Sequence, residues 1–261
     1  MSAAVARVDV DSANPGHFFA CCGLLEVAHR LLDSAEGWFE DGRFYLSSAG
    51  PLVLSDLVTP LAATALQQVD PGDDYASPMA MDAPIGMLLD WWADRRSVGA
   101  RLKVWAGSMR SLRIARAMQN ALQHPQFHGE DILNQSKVVF DPLEPTKKVE
   151  PYYFDARRGS NAQSLDIGFA PDALNMVTAA YPAVEFLCLL GLQRVRPAPT
   201  DAPRVFEYCT WSSPCAAAIA PAAACGLLPG VSSQRYRFEN GFRTDQRKHK
   251  AFQPAVHIGV L

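Results

Sequence analysis

The order of hydrophobic and polar positions predicts strand, helix and hairpin in the first fifty residues of the chain. Residues 5–10 (VARVDV) alternate between apolar and polar side chains, which is typical of a half-buried strand. The turn signal NPG at 14–16 then precedes apolar residues at helical spacing from His17 to Leu32. Residues 37–47 carry aromatic side chains on both sides of Asp41-Gly42, a dipeptide that favours a β-hairpin.

The middle of the chain continues this mixture of elements. Apolar spacing predicts a helix over 54–69, the proline-rich residues 70–84 indicate a loop, and the run GMLLDWW at 86–92 favours a short strand. Residues 107–123 predict an amphipathic helix whose polar face carries three arginines, and Pro125 ends it.

Proline positions divide the rest of the chain. Extended segments are predicted around residues 137–159, and a helix over 173–192 is expected in two pieces, with Pro182 early in the second. A strand at 204–211 and basic aromatic strands at 235–252 follow. We therefore predict an α+β fold, as one compact chain or two intimately packed subdomains.

Composition excludes several classes of protein and indicates a soluble globular one. The 261 residues are 49% hydrophobic and 20% charged, which is unlike a disordered tail, a collagen fibre or a disulfide-rich miniprotein. We see neither an apolar run long enough to cross a membrane nor a secretory signal, so we expect a cytoplasmic protein. The six cysteines form no Cys-x-x-Cys pair and lie mostly among apolar residues, which predicts reduced thiols in the core.

The net charge of −3 conceals a large difference between two parts of the chain. Residues 1–94 contain three Lys or Arg against fourteen Asp or Glu, whereas residues 95–261 contain twenty-one against thirteen. This division predicts an acidic N-terminal α/β part and a basic α+β part, of which the second faces a polyanion. The alternative is that the two parts neutralise each other.

Sequence motifs of catalysis are not apparent, so we predict no enzyme activity, no cofactor and no metal. The chain contains no phosphate-binding glycine loop, no Gly-x-Ser-x-Gly and no His-Glu-x-x-His. His124 and His128 have metal-like spacing, but Pro125 breaks the helix that would orient both rings, which favours a solvated loop. A thiol pair of His17 with Cys21 or Cys22 is the other catalytic alternative, against simple helix packing.

Three basic clusters are the candidate nucleic-acid contacts. The first spans residues 95–116 and contains no acidic residue, the second is the segment YYFDARRGSNAQS at 152–164, and the third is the aromatic-rich end at 235–252. Phosphates bind basic side chains, and Arg, Asn and Gln pair with base edges. The candidates are Arg110, Arg113, Arg116, Arg157, Arg158, Asn161, Gln163, Arg235, Arg237, Arg247, Lys248 and Lys250.

Each cluster also has a structural interpretation. The arginines of 95–116 could line a solvated helix face that pairs with the acidic part of the chain. Asp155 could bridge an arginine at a tight turn. In the third cluster, alternation would place Tyr236, Phe238, Phe242 and Phe252 in the core, with arginines on the opposite strand face; otherwise these aromatic rings would stack on bases.

Several longer motifs resemble one protein family. The sequence NPGHFFACCGLLEVAHRL followed by AEGWF is similar to the N-terminus of small CRISPR-associated proteins of type I-U (I-G) systems. WAGSM, YFDARRGSNAQSLDIGFAPDAL, AYPAVEFLCLLGLQRVRP and the YRF…HKAF ending resemble the same group. Together these motifs extend from about Asn14 to Phe252.

The resemblance implies a compact component similar to the large subunit of an RNA-guided DNA surveillance complex in antiviral defence. Its partners would be guide RNA, target DNA, the backbone and guide-end subunits and the helicase-nuclease, with no membrane involved. Such large subunits read the protospacer-adjacent motif, hold opened DNA and dock the nuclease. The alternatives are a protein-only subunit that braces the complex, and an uncharacterised thiol or metal enzyme. We also expect a partner to cover a face with Phe18, Phe19, Trp38 and Phe39.

Overall fold

Helices and antiparallel sheets build an α+β fold, as the sequence predicts. The computed structural model describes residues 5–73, 77–90, 110–158, 179–242 and 250–260. In these ranges the helices are α1 (Pro15–Leu31), α2 (Leu54–Ala63), α3 (Ser111–Ala121), α4 (Pro182–Arg194) and α5 (Ala220–Ala224). The strands are β1 (Val5–Asp9), β2 (Glu36–Glu40), β3 (Arg43–Ser47), β4 (Leu66–Gln68), β5 (Met79–Met81), β6 (Met87–Leu89), β7 (Ala198–Pro199), β8 (Val205–Cys209), β9 (Cys215–Ala216), β10 (Gln234–Phe242), β11 (Lys250–Phe252) and β12 (Val256–Val260).

The strands pair into three antiparallel sheets. A four-stranded sheet has the order β1-β3-β2-β9, and a three-stranded sheet has the order β4-β5-β6. The five-stranded sheet has the order β11-β10-β8-β7, and β12 also pairs with β10. The predicted hairpin is β2–β3, whose turn residues Asp41 and Gly42 both have positive φ, as a type I′ turn requires. Since β9 follows β8 in the chain and pairs with β2, the four-stranded sheet joins residues from both ends of the sequence.

Helix α1 is buried on nearly all sides because apolar residues surround its axis. Its N-cap is Asn14, whose side-chain oxygen accepts a hydrogen bond from the backbone N–H of Gly16 at 3.0 Å. Pro15 occupies the first turn, where a missing N–H costs nothing. The sequence therefore places this helix correctly, and its first residue lies two positions before the predicted start.

Helices α1 and α4 pack against each other in the centre of the hydrophobic core. Glu26 on α1 is buried and accepts hydrogen bonds from Arg194 on α4 and from Arg30 one turn further along α1. Arg30 also donates to the carbonyl oxygens of Ile85 and Gly86. Burial raises the pKa of Glu26, but the hydrogen bonds from the two arginines outweigh it, and the net pKa lies below its ordinary value. This ion network links the helix pair to the three-stranded sheet.

The prediction that a partner covers Phe18, Phe19 and Phe39 is wrong, because these rings form the core. Phe18 and Phe19 are completely buried and Phe39 is 7% exposed. The Phe18 ring stacks on Tyr208 of the five-stranded sheet at 4.3 Å and on Phe39 of the four-stranded sheet at 5.4 Å. Helix α1 thus joins the two sheets through its first turn. Trp38 is half-buried and stacks on Tyr45.

The middle of the chain differs from its predicted elements. Helix α2 ends at Ala63 rather than at 69, because the chain then enters β4, and residue 66 pairs with residue 81. The predicted loop over 70–84 contains β5 for the same reason. Strand β6 confirms the predicted strand, and α4 begins at Pro182 as expected. Residues 179–181 of the predicted first helical piece are not helical, because Ala180 forms a β-bridge with Lys137, and residues 173–178 lie outside the described residues. The predicted helix at 107–123 is described from residue 110, with α3 ending at Ala121.

Two further properties bear on the sequence predictions. Across the described ranges, the helices are all too short or too polar to cross a membrane. All six cysteines are free, and five of them are buried as predicted, whereas Cys225 is exposed.

Candidate nucleic-acid interface

The solvent face of β10 carries two of the predicted contact residues, Arg235 and Arg237. Their side chains are 45% and 53% exposed. The register places Arg237 directly opposite Glu207 on β8, and Glu207 accepts hydrogen bonds from both guanidinium groups. Burial raises the pKa of Glu207, but the hydrogen bonds from Arg237 and Arg235 more than compensate, so the net pKa is lowered. Two cations share one anion, which leaves the group of Arg235, Arg237 and Glu207 with a net positive charge.

Three of the four aromatic residues of the third cluster lie in the core, which is one of the two alternatives that the sequence leaves open. Tyr236 and Phe238 lie on the opposite face of β10 and are buried, as is Phe252 on β11. Phe238 packs against Phe252 with ring centroids 4.9 Å apart. These three rings belong to the core, whereas Phe242 at the end of the same strand is half-buried. Arg247 and Lys248 lie outside the described residues.

A second group of cations surrounds Phe242 at the far end of β10. The guanidinium carbon of Arg204 lies 5.0 Å from the ring centroid of Phe242, and Nζ of Lys250 lies 5.6 Å from it. Arg204 also contacts Glu239 at 3.5 Å. Lys250 is a predicted contact residue, but Arg204 is not among them. Arg204 precedes β8 in the chain, and only the pairing of β8 with β10 brings it here.

The arginines at the start of α3 and within it lie away from its apolar face, as predicted. Two of them bind other parts of the protein. Arg113 contacts Asp141 at 2.5 Å and Glu144 at 3.4 Å. Arg116 donates two hydrogen bonds to the carbonyl oxygen of Leu66. Arg110 occupies the N-cap position and is exposed. Of the three, Arg113 and Arg116 act within the fold.

Arg157 is held in place by several groups at once. It donates to both carboxylate oxygens of Asp155, to the carbonyl oxygen of Leu133 and to the side chain of Asn134. Its guanidinium carbon also lies 3.5 Å from the ring centroid of Tyr181. This is the tight-turn alternative in which Asp155 bridges an arginine, and it occurs in a 3-10 turn at Ala156–Arg158 rather than in a strand.

The other predicted residues of this segment differ from Arg157. Arg158 is half-buried, with its guanidinium carbon 5.9 Å from the ring centroid of Tyr153. Asn161 and Gln163, the proposed readers of base edges, lie outside the described residues.

A buried polar cluster, which we define as Asn14, His17, Asp155 and Glu185, lies directly beneath this turn. Asn14 donates to Asp155 at 2.9 Å and accepts from the backbone N–H of Ala156 at 3.0 Å. Glu185 on α4 accepts from the backbone N–H groups of Phe154 and Asp155, both at 3.2 Å. The cluster therefore joins the start of α1, the turn at 154–157 and helix α4.

The two titratable side chains of α1 and α4 in this cluster are both neutral near pH 7. Burial lowers the pKa of His17 to about 4, although the nearby Asp155 carboxylate acts in the opposite direction. Burial and then repulsion by Asp155 raise the pKa of Glu185 to about 8. Nδ1 of His17 accepts the backbone N–H of Asp11, so the ring proton sits on Nε2, 3.9 Å from Asp155.

The surroundings of the cysteines and histidines give little support to the thiol and metal alternatives. Cys21 and Cys22 are fully buried, and burial raises the pKa of both thiols, which leaves them protonated and poorly nucleophilic. Within the part of the chain that the structure describes, no three His, Cys, Asp or Glu side chains are grouped to hold a metal ion, and His124 and His128 belong to no such group.

Of the predicted contact residues that the structure describes, Arg235 and Arg237 are exposed on the five-stranded sheet and Arg110 is exposed just before α3, whereas Arg157 is held by Asp155. Comparisons of the whole chain with known protein families, curated proteins and solved structures find no match.

Proposed function

We propose that the chain is a non-catalytic, nucleic-acid-binding subunit of a type I CRISPR RNA-guided DNA surveillance complex. The observation that carries the proposal is the exposed arginine pair of β10, Arg235 and Arg237, which shares the single carboxylate of Glu207. Such a surface retains positive charge that phosphate groups neutralise. The sequence resemblance to type I-U proteins and the basic charge of residues 95–261 support the same function.

The geometry divides the predicted contact residues into two groups. Arg235, Arg237 and Lys250, joined by Arg204, supply the phosphate-binding surface of the proposal, with Arg110 as a further contact. Arg113, Arg116 and Arg157 instead position neighbouring segments, since they are less exposed than Arg235 and Arg237 and their guanidinium groups bind other segments of the chain. Reading of the protospacer-adjacent motif stays assigned to Asn161 and Gln163, and recruitment of the helicase-nuclease belongs to the same proposal.

Salt-dependent binding tests the phosphate surface directly. The double variant Arg235→Gln/Arg237→Gln keeps hydrogen-bond donors near Glu207 but removes both charges. The magnitude of the slope of log K against log salt, measured with duplex DNA, should fall by roughly 0.9 for each phosphate that the variant no longer binds. Arg7→Gln is the matched control, because Arg7 lies on β1 of the four-stranded sheet, is 47% exposed and is paired with Glu130.

A second variant acts in the opposite direction. Glu207→Gln removes the carboxylate that competes with phosphate for the two arginines, so affinity for DNA should rise. If neither the slope nor the affinity responds to these changes while the proteins stay folded, the sheet is not the phosphate surface.

Motif reading needs its own experiment, because phosphate contacts carry no sequence information. Assembled complexes with Asn161→Ala or Gln163→Ala should show a relaxed or altered motif preference in a randomised-motif binding screen. Removal of a bidentate hydrogen-bonded pair with a base costs about 1–3 kcal/mol of discrimination. An unchanged preference in both variants contradicts the assignment of these residues.

The bracing function is the second candidate, favoured by the number of arginines that bind inside the fold. Arg113, Arg116 and Arg157 each join two segments that are distant in sequence. A chain that co-purifies with the other complex subunits, yet binds DNA with an unaltered salt slope in every sheet variant, would be a protein-only brace.

A further inference from the structure

Strand β12 forms part of an edge of the five-stranded sheet. It pairs with β10 in antiparallel register, from Val256 opposite Arg237 to Val260 opposite Gln234. Among the described residues, no strand pairs with its other side. An edge strand directs alternate backbone N–H and C=O groups away from its partner, where another strand can pair with them. One side of β12 therefore presents backbone donors and acceptors to solvent.

The same edge is covered by the chain itself just before β12 begins. The N–H of Phe252 on β11 donates to the carbonyl oxygen of Tyr153 at 3.1 Å, and the N–H of Ala255 donates to that of Ala13 at 2.7 Å. From Val256 to Val260, the described part of the chain makes backbone hydrogen bonds to β10 alone. The open part of the edge is thus confined to β12, which is five residues long.

The side chains of β12 are suited to pairing with a further strand. Val256 is 66% exposed, Ile258 is 38% exposed and Val260 is 65% exposed. β-Branched side chains of this kind pack well on a paired, half-buried sheet surface. Proteins commonly protect an edge strand with charged residues, a proline, a bulge or a covering segment. Strand β12 contains no Asp, Glu, Lys, Arg or Pro, and its one such feature is an irregularity in its register on β10.

The length of the open edge selects the kind of molecule that fits it. A stable interface between two folded proteins takes about 20–30 residues from each side, whereas the open edge offers five in a row. Two copies of the chain that paired through β12 alone would fall well short of this size. An extended peptide segment matches the edge, because its affinity comes from main-chain hydrogen bonds along one strand. An uncharged segment fits best, since β12 has no charged side chain to pair with one.

We propose that β12 docks an extended, uncharged and β-branched segment of another protein, which joins the five-stranded sheet as an additional strand. The segment lies along Val256–Val260, and the bond between Ala255 and Ala13 marks one end of the open edge. Its backbone pairs with the outward N–H and C=O groups of β12, and its side chains contact the exposed valines and isoleucine. The docking surface consists of one continuous strand, so its residues are adjacent by sequence.

The first test measures binding of a model strand to the full wild-type chain. The probe is a short, acetylated and amidated peptide of alternating Val and Thr with a fluorescent label, and anisotropy reports its binding. A matched peptide carries an N-methyl group at every residue, which removes its backbone donors and keeps its side chains. The first peptide should bind at least roughly 10-fold more tightly than the second. Equal affinity of the two peptides, or no binding of either at millimolar concentration, overturns the proposal.

The second test locates the peptide on β12. Val256→Lys and Ile258→Lys each place a charge on the open edge, as protected edge strands do, and should weaken binding of the Val-Thr peptide roughly 10-fold. Leu143→Lys is the matched control, because Leu143 is 77% exposed in a separate loop, and it should leave the affinity unchanged. The peptide should also slow hydrogen exchange of the amides at 256–260. Equal affinity of all three variants and the wild type places the peptide elsewhere and overturns the proposal.

The mass of the chain in solution distinguishes a peptide segment from a second copy as the occupant. The wild-type protein and Val256→Lys should have the same mass at every concentration, because β12 alone is too short to hold two copies together. A wild-type dimer that Val256→Lys dissociates would make a second copy the occupant and overturns the proposal. These measurements contain no nucleic acid, so the proposal does not rest on the nucleic-acid function and fails separately from it.

Discussion

Gly23 on α1 and Gly191 on α4 lie back to back where the two central helices cross. A Cβ atom at Gly23 would overlap the carbonyl oxygen of Leu187, and one at Gly191 would overlap that of Phe19. Each glycine therefore gives room to the backbone of the opposite helix. This close approach brings Glu185 of α4 to the turn at 154–157 and Arg194 to Glu26 of α1.

Substitution at the helix crossing should destabilise the protein because neither backbone can withdraw from the added atom. Gly23→Ala and Gly191→Ala should each lower the free energy of unfolding by about 1–3 kcal/mol. Since both changes act on one contact, their effects should not add in the double variant. Gly50→Ala is the control, because a Cβ there meets no atom within 4 Å. Urea denaturation measures all four variants, and unchanged midpoints at positions 23 and 191 would contradict this packing.

The buried polar cluster predicts a particular dependence of stability on pH. Glu185 has a pKa of about 8 in the folded chain against 4.5 for the free group. Its contribution to the free energy of unfolding is therefore fully present below pH 4.5 and is lost as pH rises through 8. His17 has a folded pKa of about 4 against 6.5, so its contribution is lost as pH falls from 6.5 through 4. The two effects oppose each other between pH 4.5 and 6.5, and only Glu185 acts between 6.5 and 8.

The variant Glu185→Gln should remove the upper part of this dependence. Glutamine resembles the protonated carboxyl group in shape and cannot ionise, so the decrease in stability between pH 6.5 and 8 should become smaller. Unfolding free energies at these two pH values measure the difference. An equal decrease in the wild-type and variant proteins would assign the pH dependence to other groups.

Two substitutions at Asn14 distinguish its capping of α1 from its hydrogen bond to Asp155. Asn14→Ala removes the cap of α1 and the hydrogen bond to Asp155, and should cost about 1–2 kcal/mol. Asn14→Asp keeps a good capping group but places a second carboxylate beside Asp155, so it should also destabilise the protein. Thermal denaturation distinguishes the two roles: a stable Asn14→Asp variant would mean that capping alone is important.

Arg113 is predicted to stabilise the fold rather than to bind phosphate. Asp141 is 6% exposed, and removal of its partner in Arg113→Ala leaves a buried carboxylate without its cation. Stability should fall by about 1–3 kcal/mol, while the salt slope of DNA binding stays constant. The double variant Arg113→Ala/Asp141→Asn should recover part of the loss. A reduced salt slope in Arg113→Ala, with intact folding, would return Arg113 to the phosphate surface.

Local patterns in the sequence were sufficient for elements that depend on their own residues. The alternation at 5–9, the Asp41-Gly42 turn and the proline at the start of α4 each carry their signal within a few positions. The end of α2 and the three-residue strands β4 and β5 depend instead on pairing across a loop. No short pattern could reveal them.

The candidate site shows the same division. Alternation along β10 correctly separated Arg235 and Arg237 from the buried Tyr236 and Phe238. The partners of the arginines were not predictable, because Glu207 and Asp141 reach them only through strand pairing and chain reversal. Arg204 was missed for this reason.

The distance in sequence between Asn14 and Asp155 affects how the chain can fold as it is synthesised. These residues are 141 positions apart, which at 5–20 residues per second corresponds to roughly 7–28 s of translation. Helix α4, which covers the apolar surface of α1, begins later still, at Pro182. The largely apolar segment that forms α1 therefore stays uncovered in the nascent chain until the turn at 154–157 and α4 leave the ribosome. Truncated chains that end before residue 182 should be insoluble, and full-length yield should depend on chaperones that bind the early segment.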